Sequence, residues 1–370
     1  MAGRFIRKAF SDINLNDQFF DSLKADYPGS ITSTGFVEWF NQKAAIGQKA
    51  LVFEDEQGIG AFINLKVGEE EEIQLENGMI IPKASRIKIT TIKIDERYQH
   101  QRIGEGALGL ILWQWRDLKV NEIYVTVFEK HASLILLLEK YGFVCVGKNP
   151  NGEQVYFKDR RCLDFSDPCK AFPFLSNQLQ QVGCIAIDMD YHDTMFAYSE
   201  LANTIQEHVD MSVANGLKKV YIGQSYGTAF QVGDPVLIYR KYTGQDGLRG
   251  YKSVITSYCV VSQIVKIKSN WKKLYIYDEF RKMVGNKSVY NEDELRNKYN
   301  TCPSLTLIEL LYYGYFGAGN NVNWVWLKNN GLWFNTHPLN FSYTTDQFKK
   351  VLQEGNIDVN NVIIDPTSVC

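Results

Sequence analysis

The chain has 370 residues and a formal net charge of -2, with 40 lysines and arginines against 42 aspartates and glutamates. That length predicts two or three domains, and the balanced charge excludes a strongly basic nucleic-acid protein without excluding a local basic groove. Seven scattered cysteines with no Cys-x-x-Cys and five dispersed histidines predict no metal site and a reducing, cytoplasmic setting; Met1 to Phe20 holds no apolar core of signal-peptide length, and no run reaches the length of a membrane span.

Taken in order, Phe5 to Phe10 reads as a strand. Asn14 to Lys24 has helical spacing, with Asn14 or Asn16 as its cap, and Phe36 to Ala45 is a second helix. Ala50 to Glu54 and Gly60 to Val67 flank the turn Asp55-Glu56-Gln57-Gly58, a hairpin pattern. Glu69 to Glu72 reads as a solvated acidic loop. A strand from Arg86 to Ile94 follows, then a polar loop from Asp95 to Ile103 and a helix to about Leu118. Glu122 to Phe128 is a strand, and Ala132 to Tyr141 is an apolar helix closing on Gly142-Phe143. A last hairpin joins Phe143–Gly147 to Gln154–Lys158.

The informative stretch is Gln101-Arg102-Ile103-Gly104-Glu105-Gly106, which fits Gln/Arg-x-x-Gly-x-Gly/Ala. Small residues at a helix start let backbone N–H groups and the positive end of the helix dipole face a phosphate. The run Gly104-Glu105-Gly106-Ala107-Leu108-Gly109 also matches the dinucleotide fingerprint. That fingerprint needs its strand to end just before the first glycine, and here Asp95 to Ile103 intervene. A third reading makes these glycines packing residues only. Gly142 to Lys148 imitates a phosphate loop but lacks the Ser/Thr for magnesium.

The loop motif, the segment Glu139-Lys140-Tyr141-Gly142-Phe143 and the element order over roughly residues 3 to 160 resemble the GCN5-related N-acetyltransferase (GNAT) superfamily. The resemblance implies an α/β (α+β) fold over 1–162, a mixed central sheet flanked by helices, with acetyl-CoA as cosubstrate and no metal. The backbone at Ile92 and Ile94 would pair with the pantetheine arm, and Gln101, Arg102, Ile103, Gly104, Glu105 and Gly106 would hold the pyrophosphate. The position of the family's tyrosine acid is Leu138, and its frequent asparagine is His131. Tyr141, one helical turn on, and His131 are therefore the candidate acids, with Asp95 and Glu96 as candidate bases and His100 of the same standing.

Residues 163–210 read as a connecting segment, with an amphipathic helix over 193–210. Strands follow at Lys219–Ile222, Pro235–Tyr239, Ser253–Ile267 and Leu305–Tyr313. Trp271 to Tyr299 reads as a helical insertion capped by Asn291, and the chain closes with a helix at Asp346–Glu354 and a strand at Asn361–Ile364. The stretch Val232-Gly-Asp-Pro-Val-Leu-Ile-Tyr-Arg240 resembles the PUA-like superfamily of β-barrels, which includes ASCH and EVE domains. This implies a barrel over 211–370 and an RNA or tRNA partner.

Arg240, Lys241, Arg249 and Lys252, interleaved with Tyr239, Tyr242 and Tyr251, are the candidate nucleic-acid contacts. Lys266, Lys268, Lys272 and Lys273 lie beside Trp271. The aromatic runs 312–316 and 323–333 fit either a ligand pocket or a core. The combined expectation is an N-acetyltransferase acting on an amine of RNA or aminoacyl-tRNA, toxin- or defence-like, without a membrane partner. Two alternatives stand beside it: a protein or small-amine acetyltransferase with a ligand-sensing barrel, and a non-catalytic regulator that binds CoA and nucleic acid. A homodimer or an inhibitory partner protein fits each of them.

Overall fold

The structure is a computed structural model that describes residues 5–30, 34–98, 100–201, 212–224 and 229–365, leaving out the side chains of residues 69 and 70. Two sheets organise it, and one helix lies between them.

The first sheet is built from β1 (Phe5–Ala9), β2 (Lys49–Asp55), β3 (Gly58–Glu70), β4 (Ala84–Ile94), β5 (Glu122–Val127), β6 (Val144–Lys148) and β7 (Gln154–Asp159). Its order is β1-β2-β3-β4-β5-β7-β6. Every neighbouring pair is antiparallel except β4 and β5. Those two pair over only four residues, Arg86 to Ile89 against Glu122 to Val125. The cause of the early stop is a bulge. Asn64 pairs with Thr91 and Leu65 with Ile89, so Thr90 is an extra residue on β4. An extra residue bends its strand. The bend is pinned by the buried Asn64, whose Nδ2 donates to Thr90 Oγ1 (2.7 Å) while Thr90 Oγ1 donates to the Asn64 carbonyl (3.0 Å). Gln48 Nε2 in turn donates to Asn64 Oδ1 (3.0 Å). Beyond the bulge β4 follows β3 and leaves β5, opening a wedge between Thr90–Ile94 and Thr126–Val127.

The N-terminal helical region departs from expectation. A 3-10 turn at Gln18–Phe20 runs into the short α1 (Asp21–Asp26), in place of one helix over Asn14–Lys24. Asp17 is the cap, accepting from the Phe19 N–H (2.9 Å), while Asn14 closes a local turn onto Asn16 N–H. Helix α2 (Phe36–Ala45) is where its spacing puts it, and it packs Phe36 and Phe40 against Phe10, Phe20 and Phe62. Helices α3 (Ile103–Asp117) and α4 (Ala132–Lys140) also match their patterns.

The second sheet runs β8 (Gly183–Asp188), β10 (Pro235–Lys241), β11 (Val254–Ser269), β12 (Leu305–Tyr315) and β9 (Lys218–Gly223) in that spatial order. Three register shifts along the β11–β12 pairing curl it into a half-barrel. Strand β8 falls within the stretch read as a connection. It is a short apolar run whose parallel pairing with β10 depends on residues 53 positions away, which no local pattern announces. Of the helix read over 193–210, only residues 193–195 are helical, as the end of α5 (Met189–Met195); 196–201 are not, and 202–210 lie outside the described residues. The insertion forms α6 (Tyr277–Val284) and α7 (Glu292–Thr301), with Asn291 accepting from Glu294 N–H (2.9 Å) in a reciprocal cap. After α8 (Thr345–Glu354) comes a helical turn at Val359–Val362, which replaces the first half of the strand expected over Asn361–Ile364. Only Ile363–Ile364 is extended, parallel to Leu175–Ser176. Among the described residues no helix is long and apolar enough to cross a membrane.

Helix α3 is buried nearly all round, the mark of a helix inside a core rather than on one. Gly106, Gly109, Trp113 and Arg116 form a stripe at helical spacing. A Cβ on Gly106 would stand 2.1 Å from the Asn215 carbonyl oxygen, and one on Gly109 2.5 Å from Leu217 Cδ2. Trp113 then inserts among Phe172, Tyr198, Tyr312 and Tyr315, and its Nε1 donates to the Tyr313 carbonyl (2.8 Å). Arg116 reaches Tyr258 Oη (3.2 Å). The opposite side of the helix meets β3 and β4. One continuous core therefore runs through both sheets.

Candidate functional site

The wedge and the start of α3 meet at the end of β4. Gly106 N–H reaches the Arg102 carbonyl (3.2 Å), so the N–H groups of Ile103, Gly104 and Glu105 stand ahead of the helical ladder and need partners from outside it. Arg102 turns the chain in the left-handed region (φ 61°) to aim them. Of the three glycines here, Gly106 and Gly109 are demanded by the second unit. Gly104 is not: a Cβ there would find only Leu137 and Ile94 side-chain atoms at 3.8 and 3.9 Å, ordinary contact distances. Protein packing gives no reason for its missing side chain, whereas close approach of a phosphate to the backbone does.

The side chains around this loop face inward. Arg102 lies over Gly216 and donates to Glu105 Oε2 through Nε (3.1 Å) and Nη2 (2.8 Å). Its Nη1 is buried without a hydrogen-bond acceptor. Glu105 Oε1 accepts from the Tyr141 hydroxyl (2.8 Å) and from the Lys218 N–H (3.1 Å). Burial works to raise the Glu105 pKa, but the charges of Arg102 and Lys140 and these hydrogen bonds hold it below the ordinary carboxylate value. Asn215 Nδ2 donates to the Gln101 carbonyl (3.1 Å), and Asn286 Nδ2 to the His100 carbonyl (2.7 Å). Ile103 packs with Phe53, Ala61 and Tyr98. The second unit thus holds two adjacent carbonyls of the loop just ahead of α3.

The candidate proton-transfer residues do not converge, and His100 is exposed in the loop with its carbonyl held by Asn286. Tyr141 is fully buried, and burial with the Glu105 charge beside it raises its pKa well above the ordinary phenol. It is a clasp on Glu105 with no exposed surface. Leu138, one turn earlier, is equally buried. Asp95 ends β4; burial would raise it, but the Arg97 side chain and N–H both donate to it at 2.9 Å and leave its pKa below normal. Glu96 is exposed beside it. His131 precedes α4, exposed, with Nε2 3.4 Å from Asp26 Oδ2. Asp95 and Glu96 therefore belong to one arm of the wedge and His131 to the other.

What bridges the arms is the segment 17–27. From β4, Lys93 Nζ donates to the Phe19 carbonyl and to Ser22 Oγ (2.6 Å). Burial lowers its pKa, against the pull of Asp95, Asp21 and Asp26. From the β5 side, Lys130 and His131 both meet Asp26. Tyr27 then donates to Glu153 Oε1 (2.8 Å), an oxygen that also accepts from Thr126 Oγ1 (3.2 Å) on the diverging part of β5. Glu153 is buried, and burial together with its charge raises the Tyr27 pKa. This Tyr27–Glu153 pair escaped the sequence reading. Its members are 126 residues apart, and neither sits in a motif.

In the second unit the basic candidates separate. Arg240 is buried and held bidentately by Asp193 (2.7 Å twice), which also meets His192 Nδ1 (2.8 Å). Burial would raise Asp193, but the hydrogen bonds from Arg240 and His192 bring it to about 2. Lys252 is paired with Asp246, and Lys241 with Asp188 (2.9 Å). Arg249 is exposed and faces a cavity of about 1040 Å³. Tyr239, Tyr290, Trp324 and Trp333 give this cavity aromatic walls, while Lys241, Arg249 and Lys298 place cations at it. The 323–333 aromatic run thus supplies cavity walls, whereas Tyr312 and Tyr313 are core.

No family model matches the sequence, and no curated protein sequence matches it. Among solved structures the chain is similar to ASCH from Zymomonas mobilis, at 10% identity over 46% of this chain and 94% of that one, with a TM-score of 0.31. It is also similar to Ard1 from Thermoplasma volcanium (14% identity, 43% and 98% covered, TM-score 0.29). A third similar structure is the PaiA N-acetyltransferase from Thermoplasma acidophilum in complex with coenzyme A (16% identity, 43% and 99% covered, TM-score 0.31). These are of the two kinds that the sequence resemblances named. Likenesses of this size say nothing of activity, which rests on the residues.

Proposed function

We propose that the chain is an acetyl-CoA-dependent N-acetyltransferase whose acceptor is an amine of RNA or of an aminoacyl-tRNA, brought by the second unit. The observation that carries the first half is the wedge between β4 and β5, ending at a helix start whose Gly104 leaves its backbone bare. An extended pantetheine arm adds to the free edge of β4 at Ile92 and Ile94, as a strand adds to a sheet. The N–H groups of Ile103, Gly104 and Glu105 take the pyrophosphate, which Arg102 supports from behind by neutralising Glu105. Acetyl-CoA supplies the activated acyl carbon.

The acceptor enters at the mouth bridged by residues 17–27. An incoming ammonium passes its proton to the Tyr27 hydroxyl oxygen as Tyr27 passes its own to Glu153. The phenol is never left charged, in keeping with its raised pKa. Asp26, paired with Lys130 and His131 on the β5 side, places a carboxylate at the mouth for the cationic amine. Asp95, Glu96 and His131 line the rim as lesser candidates. The cavity beside Arg249 holds a base of the carrier RNA. The locked Tyr141 and the buried Leu138 favour the rival reading of a non-catalytic CoA-binding regulator. Incubation with labelled acetyl-CoA and total cell extract, followed by separation of RNA, charged tRNA and protein, decides between them. Label in the RNA or aminoacyl fraction supports the proposal, label in protein alone refutes its acceptor, and no transfer at all refutes catalysis.

A further inference from the structure

Strand β11 runs on to Ser269, turns through Asn270 and Trp271, and returns as Lys272–Lys273, pairing Lys268 with Lys273 and Ser269 with Lys272. A two-residue hairpin turn of this kind needs left-handed backbone at both central residues, which is why Asn-Gly is favoured. Asn270 has φ 49° and Trp271 φ 66°. A bulky side chain there is strained and persists only where its surroundings over-determine it. Here they do: Trp271 N–H donates to the Pro303 carbonyl (2.8 Å) and Asn270 N–H to Ser304 Oγ (3.1 Å). Yet the indole gains little packing in return. It is 62% exposed, with the Lys268 ammonium 5.2 Å from its centroid.

The surroundings of the tip are basic. Lys266, Lys272 and Lys273 are exposed. Lys273 stands over the Tyr299 ring (5.4 Å), and Lys268 donates to the Tyr299 carbonyl (2.6 Å). Tyr299 lies in the last turn of α7, and its neighbour Lys298 lines the cavity. Tip and cavity therefore meet adjacent residues of the same helical turn. A flat anionic membrane is a poorer fit, because the exposed Asp278 and Glu279 adjoin the apolar Leu274 and Ile276. A single ring on a narrow tip, with lysines on both strands, suits one base and its flanking phosphates.

We propose that the Asn270–Trp271 tip is a stacking platform for one base of a single-stranded RNA whose adjoining nucleotide occupies the cavity, with Lys272 and Lys273 on its phosphates. The inference rests on the RNA reading above and adds the path of the strand. The test is fluorescence anisotropy of a labelled single-stranded RNA of mixed sequence with the full chain at several salt concentrations.

Trp271→Gly relieves the turn, so it should melt higher than the parent and still bind RNA about 5- to 150-fold more weakly, the range for loss of one stacked base. Trp271→Asn, also at ease at positive φ, should weaken binding likewise, and Trp271→Phe should retain most of it. Lys272→Glu with Lys273→Glu should flatten the log–log salt slope by about 1.4. Parental affinity in both Trp271→Gly and Trp271→Asn overturns the inference. If Arg249→Glu then still weakens binding, the cavity reading survives and only the tip is refuted. If the parent binds no RNA, both fall. Binding to anionic vesicles with none to RNA overturns it in favour of a lipid surface.

Discussion

Separate alanine replacements at Gly104 and Gly106 pull apart the two jobs assigned to the start of α3. At Gly104 the new Cβ meets nothing closer than 3.8 Å, and alanine is the better helix former by about 0.8–1 kcal/mol in a helix interior. The Gly104→Ala protein should therefore be at least as stable as the parent in urea unfolding. It should nevertheless bind acetyl-CoA about 10-fold or more weakly by calorimetry. A methyl group standing where the pyrophosphate approaches costs at least one charge-assisted hydrogen bond, about 1.5–3 kcal/mol. At Gly106 the new Cβ would be 2.1 Å from a backbone oxygen of Asn215, so that segment must move by about 1 Å and loosen the Asn215 bond to Gln101. Overpacking of about 1–3 kcal/mol, with the lost bond, outweighs the gain in helix propensity. Gly106→Ala should therefore lower stability by about 1–3 kcal/mol whether or not acetyl-CoA is present. Parental acetyl-CoA affinity in Gly104→Ala would refute the cradle. Parental stability in Gly106→Ala would refute the reading of that glycine as an interface residue.

Three further outcomes follow from described contacts. Arg240→Met removes the bidentate partner of the half-buried Asp193, leaving it His192 alone, and should cost about 1.5–3 kcal/mol in urea unfolding; an RNA-binding defect at unchanged stability would contradict this. Glu153→Gln and Tyr27→Phe should each lower kcat by about 10²–10⁴-fold with little change in acetyl-CoA affinity, and full turnover in both variants would remove the pair from the mechanism. Burial would raise Glu309, but hydrogen bonds from Lys218 and Lys287 hold it at about 2, below its ordinary 4.5. Its folded pKa is depressed, so its stabilisation is complete above about 4.5 and is lost as pH falls toward about 2, amounting to about 3 kcal/mol. Glu309→Gln should flatten the acid limb of stability against pH over that window, and an unchanged limb would count against the pairing.

Much of the first unit was legible because its elements carry their own punctuation. The apolar spacing of α3 and α4 and the Gly142-Phe143 stop are local signals. So are the hairpin about residues 55–58 and, in the second unit, the reciprocal cap at Asn291. What escaped depends on distant partners. Strand β8 is defined by pairing with β10, and Arg240 is withdrawn from the surface by Asp193, 47 residues earlier. Tyr141 was read by its place on the helix face, but Glu105 decides where its hydroxyl goes. The glycine run had three readings in the sequence: packing holds for Gly106 and Gly109, and Gly104, which has no such contact, is the member on which the proposed phosphate cradle rests.

The stripe Gly106, Gly109, Trp113 and Arg116 has a consequence for how this chain can be taken apart. A helix serving as the shared wall of two rooms cannot be left standing when one room is removed. Cut after residue 162, the first unit would present to water the indole of Trp113 and two bare glycine surfaces that Asn215 and Leu217 now cover. The two sheets should therefore melt in a single transition, and a shuffled version carrying a foreign second unit would need a matching pair of small contacts at positions 215 and 217. The chain reads as two modules in sequence, but its shared core should make it one cooperative body in unfolding.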